Sequence, residues 1–331
     1  MDLALKFRPK CWAEVVGQEA IVSILQRQIA TKKWKNTYLF AGPYGCGKTT
    51  VARILANEIN NGEGQPIEID SASNNGVDNI RNLILDSQQC SIDSEYKIYI
   101  IDEAHQLTKA AWDAALKLIE EPPISSIFIF CTTNISKIPY TILSRVQTFQ
   151  FKRVDKEVIF NRLEFIMNEE FSCIKYDKKA LQRISILANG HVRDSIKLLE
   201  KCLDALDELT LNGIESILGL VKLESLCNLN NSVVNKDLNE CLKEVEHIKS
   251  YSSDLSLIYD DIIDFSINCS LMSTLENIDF IPHLYSDMKK ELKLDKNINK
   301  VFTNRLIYYR KYLNESNAET FLKNIFLEIC V

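Results

Sequence analysis

Long apolar runs are missing from this sequence. Stretches such as "IFIFC" at 127–131 are far shorter than the roughly 20 residues that cross a bilayer. The opening "MDLALKFRPK" also lacks the apolar segment of a signal peptide. A cytoplasmic protein with no membrane contact is therefore expected. There are ten cysteines, but they never fall as CxxC: Cys11, Cys46, Cys90, Cys131, Cys173, Cys202, Cys227, Cys241, Cys269 and Cys330 are scattered. That spacing argues against a zinc cluster or a disulfide framework, and most of the ten are expected to be small buried hydrophobes in a reducing compartment. Internal repeats and low-complexity tails are absent as well. An excess of positive charge is lacking, since the net charge is -6, which speaks against indiscriminate nucleic-acid binding. The balance is uneven, however. Residues 1–50 hold eight Lys/Arg against three Asp/Glu, so the remainder carries -11, and any nucleic-acid contact should be local.

What is present is a soluble composition, 46% hydrophobic and 25% charged over 331 residues, enough for two or three domains. From Lys35 to Phe151, strand-like runs ("TYLFA", "IEID", "KIYIID", "IFIFCTT", "TFQF") alternate with segments whose apolar residues recur three and four apart ("TTVARILANEI", "GVDNIRNLILDSQ", "AAWDAALKLIEE"). This is the pattern of a parallel α/β sheet. After Phe151 the strand signal stops. Residues 153 to about 210 read as a small helical domain, and 211–331 as a second helical domain. In the latter, Leu238, Leu242, Val245 and Ile248 mark one apolar face, and Leu255, Ile258, Ile262 and Phe265 another.

"LFAGPYGCGKTT" is the most specific motif. Gly42, Gly45 and Gly47 allow a tight turn whose amides converge on phosphate oxygens, with Pro43, Tyr44 and Cys46 filling the loop. Lys48 adds a charge near the β- and γ-phosphates, the Thr49 hydroxyl can ligate Mg²⁺, and Thr50 follows. About fifty residues on, "KIYIIDEAHQL" ends a strand in Asp102, placed to hold the metal's water shell, and Glu103, placed to polarise an attacking water. An acid pair at that position is also what a helix start prefers. His105, without His or Cys partners, reads as structural or as a relay. In "FCTTNISKIP", Thr133 could orient the water or touch the γ-phosphate; the plainer reading is that Thr132, Thr133 and Asn134 make a turn. "PYTILSRVQTFQF" carries a lone Arg145 with no acidic residue nearby in sequence.

These motifs together resemble the ATPase subunits of sliding-clamp loaders, within the AAA+ class, and most closely the bacterial DNA polymerase III gamma/tau subunits. The likeness also runs through "KFRPKCWAEVVGQE", "IEIDSASNNGVDNIRNL", "LKLIEEPP" and "NGHVRDSIKLLE", spanning about residues 5–205. It implies an AAA+ P-loop parallel sheet domain (1–152), a helical lid domain (153–210) and an all-α collar (211–331). It further implies ATP and Mg²⁺ as ligands. The partners it implies are other loader subunits in a ring or spiral of five, a sliding clamp and primer-template DNA. By resemblance Thr133 is the γ-phosphate sensor, Arg193 a second sensor from the lid, and Arg8, Pro9, Val15 and Val16 the surroundings of adenine. Arg145 becomes a finger serving the neighbouring subunit's nucleotide. Asn74, Asn75 and Lys109, at two expected helix starts, become the DNA contacts.

The sequence departs from that pattern in three places. The four-cysteine zinc module is replaced by the direct run "ANEINNGEGQPIEID", so no zinc is expected. The long tau extension is not expected either. The usual Ser-Arg-Cys triplet reads Ser144-Arg145-Val146. Two other readings stay open at this point: a DNA motor such as a branch-migration helicase, and a structural ring subunit that binds nucleotide without turnover.

Overall fold

The computed structural model describes residues 2–89, 91, 93–250, 255–275, 281–313 and 318–331, with backbone only at 255–257 and 318. Two compact units result, Met1–Ile166 with Leu187–Leu198, and Met167–Ile186 with Leu199–Val331.

The first unit is built on five strands: β1 (Thr37–Ala41), β2 (Ile67–Asp70), β3 (Lys97–Asp102), β4 (Ser126–Thr132) and β5 (Gln147–Gln150). All pairings are parallel and the order is β2-β3-β4-β1-β5. Every residue of β1 and β4 is buried, whereas β2 at the edge alternates between half-buried and exposed. Continuous Val/Ile/Phe-type runs belong in strands covered on both faces, and alternation belongs at an edge. The expected strand at 127–133 is shifted by one residue. Ser126 is buried and donates to Ser87 O at 2.8 Å, which draws it into the sheet, while Thr133 leaves it.

After α1 (Leu3–Lys6), helices α2 (Glu19–Ala30), α3 (Lys48–Ile59), α4 (Val77–Ser87), α5 (Lys109–Glu120) and α6 (Tyr140–Leu143) cover the sheet, and α7 (Lys156–Glu170) follows it. One face of the sheet is packed by Phe40, Phe149 and Phe151 against α2 and α3. The other is packed by Tyr99 stacked on Phe128 at 5.2 Å, and by Trp112 of α5 against Phe130 at 5.3 Å. Because the sheet is parallel, the carboxyl ends of β1, β3 and β4 emerge side by side, the usual position for a ligand site in open α/β sheets.

The unit boundaries fall within α7, α8 (Lys178–Leu187) and α9 (Val192–Leu203). The second unit adds α10 (Leu211–Leu218), α11 (Leu223–Val234), α12 (Leu238–Lys249), α13 (Leu255–Thr274), α14 (His283–Ser286), α15 (Lys296–Arg310) and α16 (Ala318–Cys330). Val245, Ile248, Ile258, Ile262 and Phe265 are buried in its core, with Leu238 and Leu242 packed against it. The side chain of Leu255, expected on the same face, lies outside the described residues, as does Cys90. Of the other cysteines, Cys46, Cys131, Cys202, Cys227, Cys241 and Cys269 are buried, Cys330 is half-buried, and Cys11 and Cys173 are exposed. Among the described residues no helix is long and apolar enough to cross a membrane.

Candidate active site

β1 delivers the chain into residues 42–47, whose start is pinned by Gly42 N donating to Thr132 O of β4 at 3.1 Å. A Cβ on Gly42 would lie 2.5 Å from Phe151 O, so only glycine lets the loop pass the end of β5. Gly45 has φ +70° and packs where a Cβ would meet His191 at 3.3 Å. The loop then turns into α3 at Lys48, and its first amides face the loop rather than a preceding helical turn. Lys48 is 6% exposed, and its Nζ donates to Gly42 O at 2.9 Å and Pro43 O at 2.8 Å. A three-proton ammonium with two such bonds keeps one N–H to give. Cys46 is inert by comparison: it is buried, its Sγ donates to Pro43 O at 2.9 Å, and burial pushes its thiol above the ordinary value.

The acid pair stands opposite this loop. Thr49 Oγ1 donates to Asp102 Oδ2 at 2.7 Å, and Asp102 Oδ1 accepts from Glu103 N at 3.0 Å. A hydroxyl and a carboxylate oxygen side by side, both lining the same cavity, suit a hard divalent cation such as Mg²⁺, with water and phosphate oxygens completing its shell. Glu103 has φ +49°, a left-handed torsion that costs a non-glycine residue about 1 kcal/mol or more. It aims the carboxylate back into the site. Its Oε2 accepts from Thr133 Oγ1 at 3.1 Å and sits 3.2 Å from His105 Nδ1. The run Thr132-Thr133-Asn134 thus divides its work: Thr132 Oγ1 accepts from Asn134 N at 3.1 Å to make the turn, and Thr133 reaches Glu103.

A cavity of roughly 190 Å³ joins these groups to the N-terminal segment. It is lined by Arg8, Pro9, Val15 and Val16, by Tyr44 through Thr50, by Asp102 and Glu103, and by Arg193. Arg8 Nε donates to Thr50 Oγ1 at 3.2 Å, and Arg193 donates to Tyr44 Oη at 3.2 Å. Burial, and after it the neighbouring Arg53, holds the Arg8 guanidinium below its usual value, with Glu68 and Asp102 opposing in part. His191 Nδ1 meets Tyr44 O. Several residues at the candidate site escaped the sequence reading. Arg162 lines the cavity, donates to Phe7 O at 2.8 Å, and is likewise held down by burial. Ile196 adds an apolar wall from α9. Gln18, only 4% exposed, donates to Lys152 O at 2.8 Å and Cys46 O at 3.4 Å, strapping the end of the sheet to the phosphate loop.

The remaining expected residues stand apart from the cavity. Arg145 is at the surface and does have an anion: its Nε donates to Glu120 Oε1 at 2.6 Å, and Nη1 to Thr141 O at 2.8 Å and Ser144 Oγ at 3.1 Å. Asn74 closes the turn after β2, its side chain donating to Asp70 O at 3.0 Å. Asn75 and Lys109 are exposed and are brought together, because Asn75 O accepts from Thr108 N at 3.2 Å and Thr108 caps α5 through Ala111 N. The start of α4 has Gly76 at its cap and no side-chain cap bond, so two helix N-termini open on one surface.

Comparison with known proteins agrees with this geometry. A family described as "DNA polymerase III, delta subunit" matches residues 62–155. The Bacillus subtilis DNA polymerase III subunit tau is 36% identical over 301 residues, 82% of this chain and 53% of that protein. The DNA polymerase III subunit gamma of Buchnera aphidicola subsp. Baizongia pistaciae is 31% identical over 321 residues, covering 89% of this chain and 83% of that one. The chain belongs to the DNA polymerase III gamma/tau family. It spans about half the length of the tau and gamma/tau relatives from B. subtilis and Mycoplasma genitalium. Among solved structures, the Thermotoga maritima RuvB Holliday junction branch migration motor superposes with a TM-score of 0.54 at 18% identity, over 78% of this chain and 90% of RuvB. That likeness is one of fold.

Proposed function

We propose that this chain is the ATP-hydrolysing subunit of a sliding-clamp loader. The observation that carries this reading is the Thr49–Asp102–Glu103–Thr133 array facing the phosphate loop in a gamma/tau-family chain. ATP would lie with its phosphates on the loop amides and Lys48, and its base among Arg8, Pro9, Val15 and Val16. Mg²⁺, when bound beside Thr49 and Asp102, neutralises phosphate charge. Glu103 would orient the attacking water, Thr133 would register the γ-phosphate through Glu103, and Lys48 would stabilise charge on the transferred group. Arg193 would close on the nucleotide as part of a lid (153–210), and a collar (211–331) would hold the subunits, five in number, in a ring or spiral. Arg145 would serve the neighbouring subunit's nucleotide, and Asn74, Asn75 and Lys109 the backbone of primer-template DNA. No zinc is assigned a role, and the cytoplasm is the proposed compartment.

In this reading ATP binding favours an assembly that holds the clamp open on DNA, and hydrolysis releases the closed clamp. The test is ATP turnover by the chain with its partner subunits, measured with and without primed DNA and clamp. Stimulation that needs both is expected. DNA-stimulated turnover indifferent to the clamp would point instead to a translocating motor and overturn the loader, and nucleotide binding without turnover would leave a structural ring subunit.

A further inference from the structure

Helix α15 and the two residues after it carry five cations, Lys296, Lys300, Arg305, Arg310 and Lys311, and no acid, in a chain whose net charge is -6. Arg305 is paired with Glu328 at 2.9 Å and Arg310 with Asp260 at 2.8 Å. For Lys296, Lys300 and Lys311, no carboxylate lies within ion-pair distance among the described residues. Lys311 Nζ instead sits over two rings, 4.6 Å from the centre of Tyr308 and 4.8 Å from that of Tyr312.

Those rings face solvent: Tyr308 is 49% exposed and Tyr312 52%. They open a row of four aromatics, with centroid steps of 5.8 Å from Tyr312 to Tyr308, 5.2 Å to Tyr309 and 5.0 Å on to Phe321. The core uses only part of this: α15 turns Asn299, Phe302, Thr303 and Leu306 inward and Tyr309 packs against them, while Tyr308 and Tyr312 stay outside. Exposed rings interleaved with lysines match a ligand that is at once polyanionic and flat-faced. Base–aromatic stacking tolerates any sequence, and basic groups beside the rings follow the phosphates. Lys300 and Lys311 lie about 16 Å apart along the helix axis, a cationic track with the rings near one end. Two copies of this face meeting about a two-fold axis would set lysine against lysine, so a self-contact is electrostatically disfavoured.

We propose that the outer face of α15 binds single-stranded nucleic acid, with bases on Tyr308 and Tyr312 and phosphates along Lys300 and Lys311. The proposal needs no nucleotide hydrolysis and can fail while the reading of the ATP site stands. It is tested by fluorescence anisotropy of the full chain with labelled oligodeoxyuridylate, oligouridylate and a DNA duplex, over a salt series. The expected results are salt-sensitive binding of single strands, a loss of about tenfold or more in the Tyr308→Ala/Tyr312→Ala double variant, and retention in Tyr308→Phe/Tyr312→Phe. ATP turnover without DNA should be unchanged in both variants. Preference for one of the two single strands would identify the sugar this face accepts. Equal single-strand binding by a correctly folded alanine variant would overturn the proposal. So would an altered oligomeric state with binding unaltered, which would make the face a subunit contact.

Discussion

At the scale of single residues, Arg145 shows how much a side chain's meaning depends on what approaches it. Its Nε and Nη1 are committed to Glu120, Thr141 and Ser144, which leaves the two N–H groups of Nη2 as the edge for an incoming anion. The ion pair is solvent-exposed on both sides, and such pairs contribute little to stability. Arg145→Ala should therefore leave the melting temperature and ATP affinity nearly unchanged. Turnover by the assembled subunits should fall by about 10³ or more, as for other arginine fingers, read in a steady-state phosphate-release assay. Unchanged turnover would return Arg145 to the surface.

At the scale of elements, the starts of α4 and α5 and the polar interior of the second unit yield separate expectations. Lys109 is the first residue of α5 and exposed. Lys109→Ala should weaken primed-DNA binding, lower the salt slope by about one ion, and spare DNA-independent turnover. Binding with an unaltered salt slope would remove Lys109 from the interface.

In the second unit, Glu215 is 1% exposed, and burial, only partly opposed by Arg183 and Leu223 N, pushes its carboxyl up to about 7. A carboxyl raised in the folded state keeps its proton where the unfolded chain has lost it, so stability falls as pH rises from the ordinary carboxylate range to about 7. Glu215→Gln should resist urea better than the parent at pH 8, by about 1–3 kcal/mol, and match it near pH 4. A variant weaker at pH 8 would mean that ionised Glu215 is held by Arg183.

These elements also show what could be read in advance. Strand periodicity and the fixed spacing of the phosphate loop are local, so β1, β2 and β3 were legible to the residue. Gln18 and Lys152 are 134 positions apart, and Arg183 lies 102 from Tyr285 and 78 from Asp261. Nothing local to any of these side chains announces its partner. Arg162 was missed for the same reason, lying in an otherwise ordinary helix of the expected lid.

At the scale of the whole molecule, the proposed supply of Arg145 to a neighbour's site would make activity a property of the assembly. Chains with Lys48→Ala have a disabled pocket but an intact Arg145, and chains with Arg145→Ala have the reverse. Where copies of this chain sit side by side, each variant alone should be nearly silent and a mixture should recover part of the turnover, measured at equal total concentration. A mixture as silent as its components would mean that the pockets do not share the arginine.

The paired ends of β2 and β3 carry a last implication. Asp70 and Asp102 are register partners, Ser71 N donates to Asp102 O at 3.0 Å, and the two loops that leave them meet again where Thr108 N donates to Asn75 O at 3.2 Å. Together they form a closed frame of fixed perimeter. A displacement at Asn75 should therefore be felt across the frame at Glu103, whose φ of +49° is the strained point on that side.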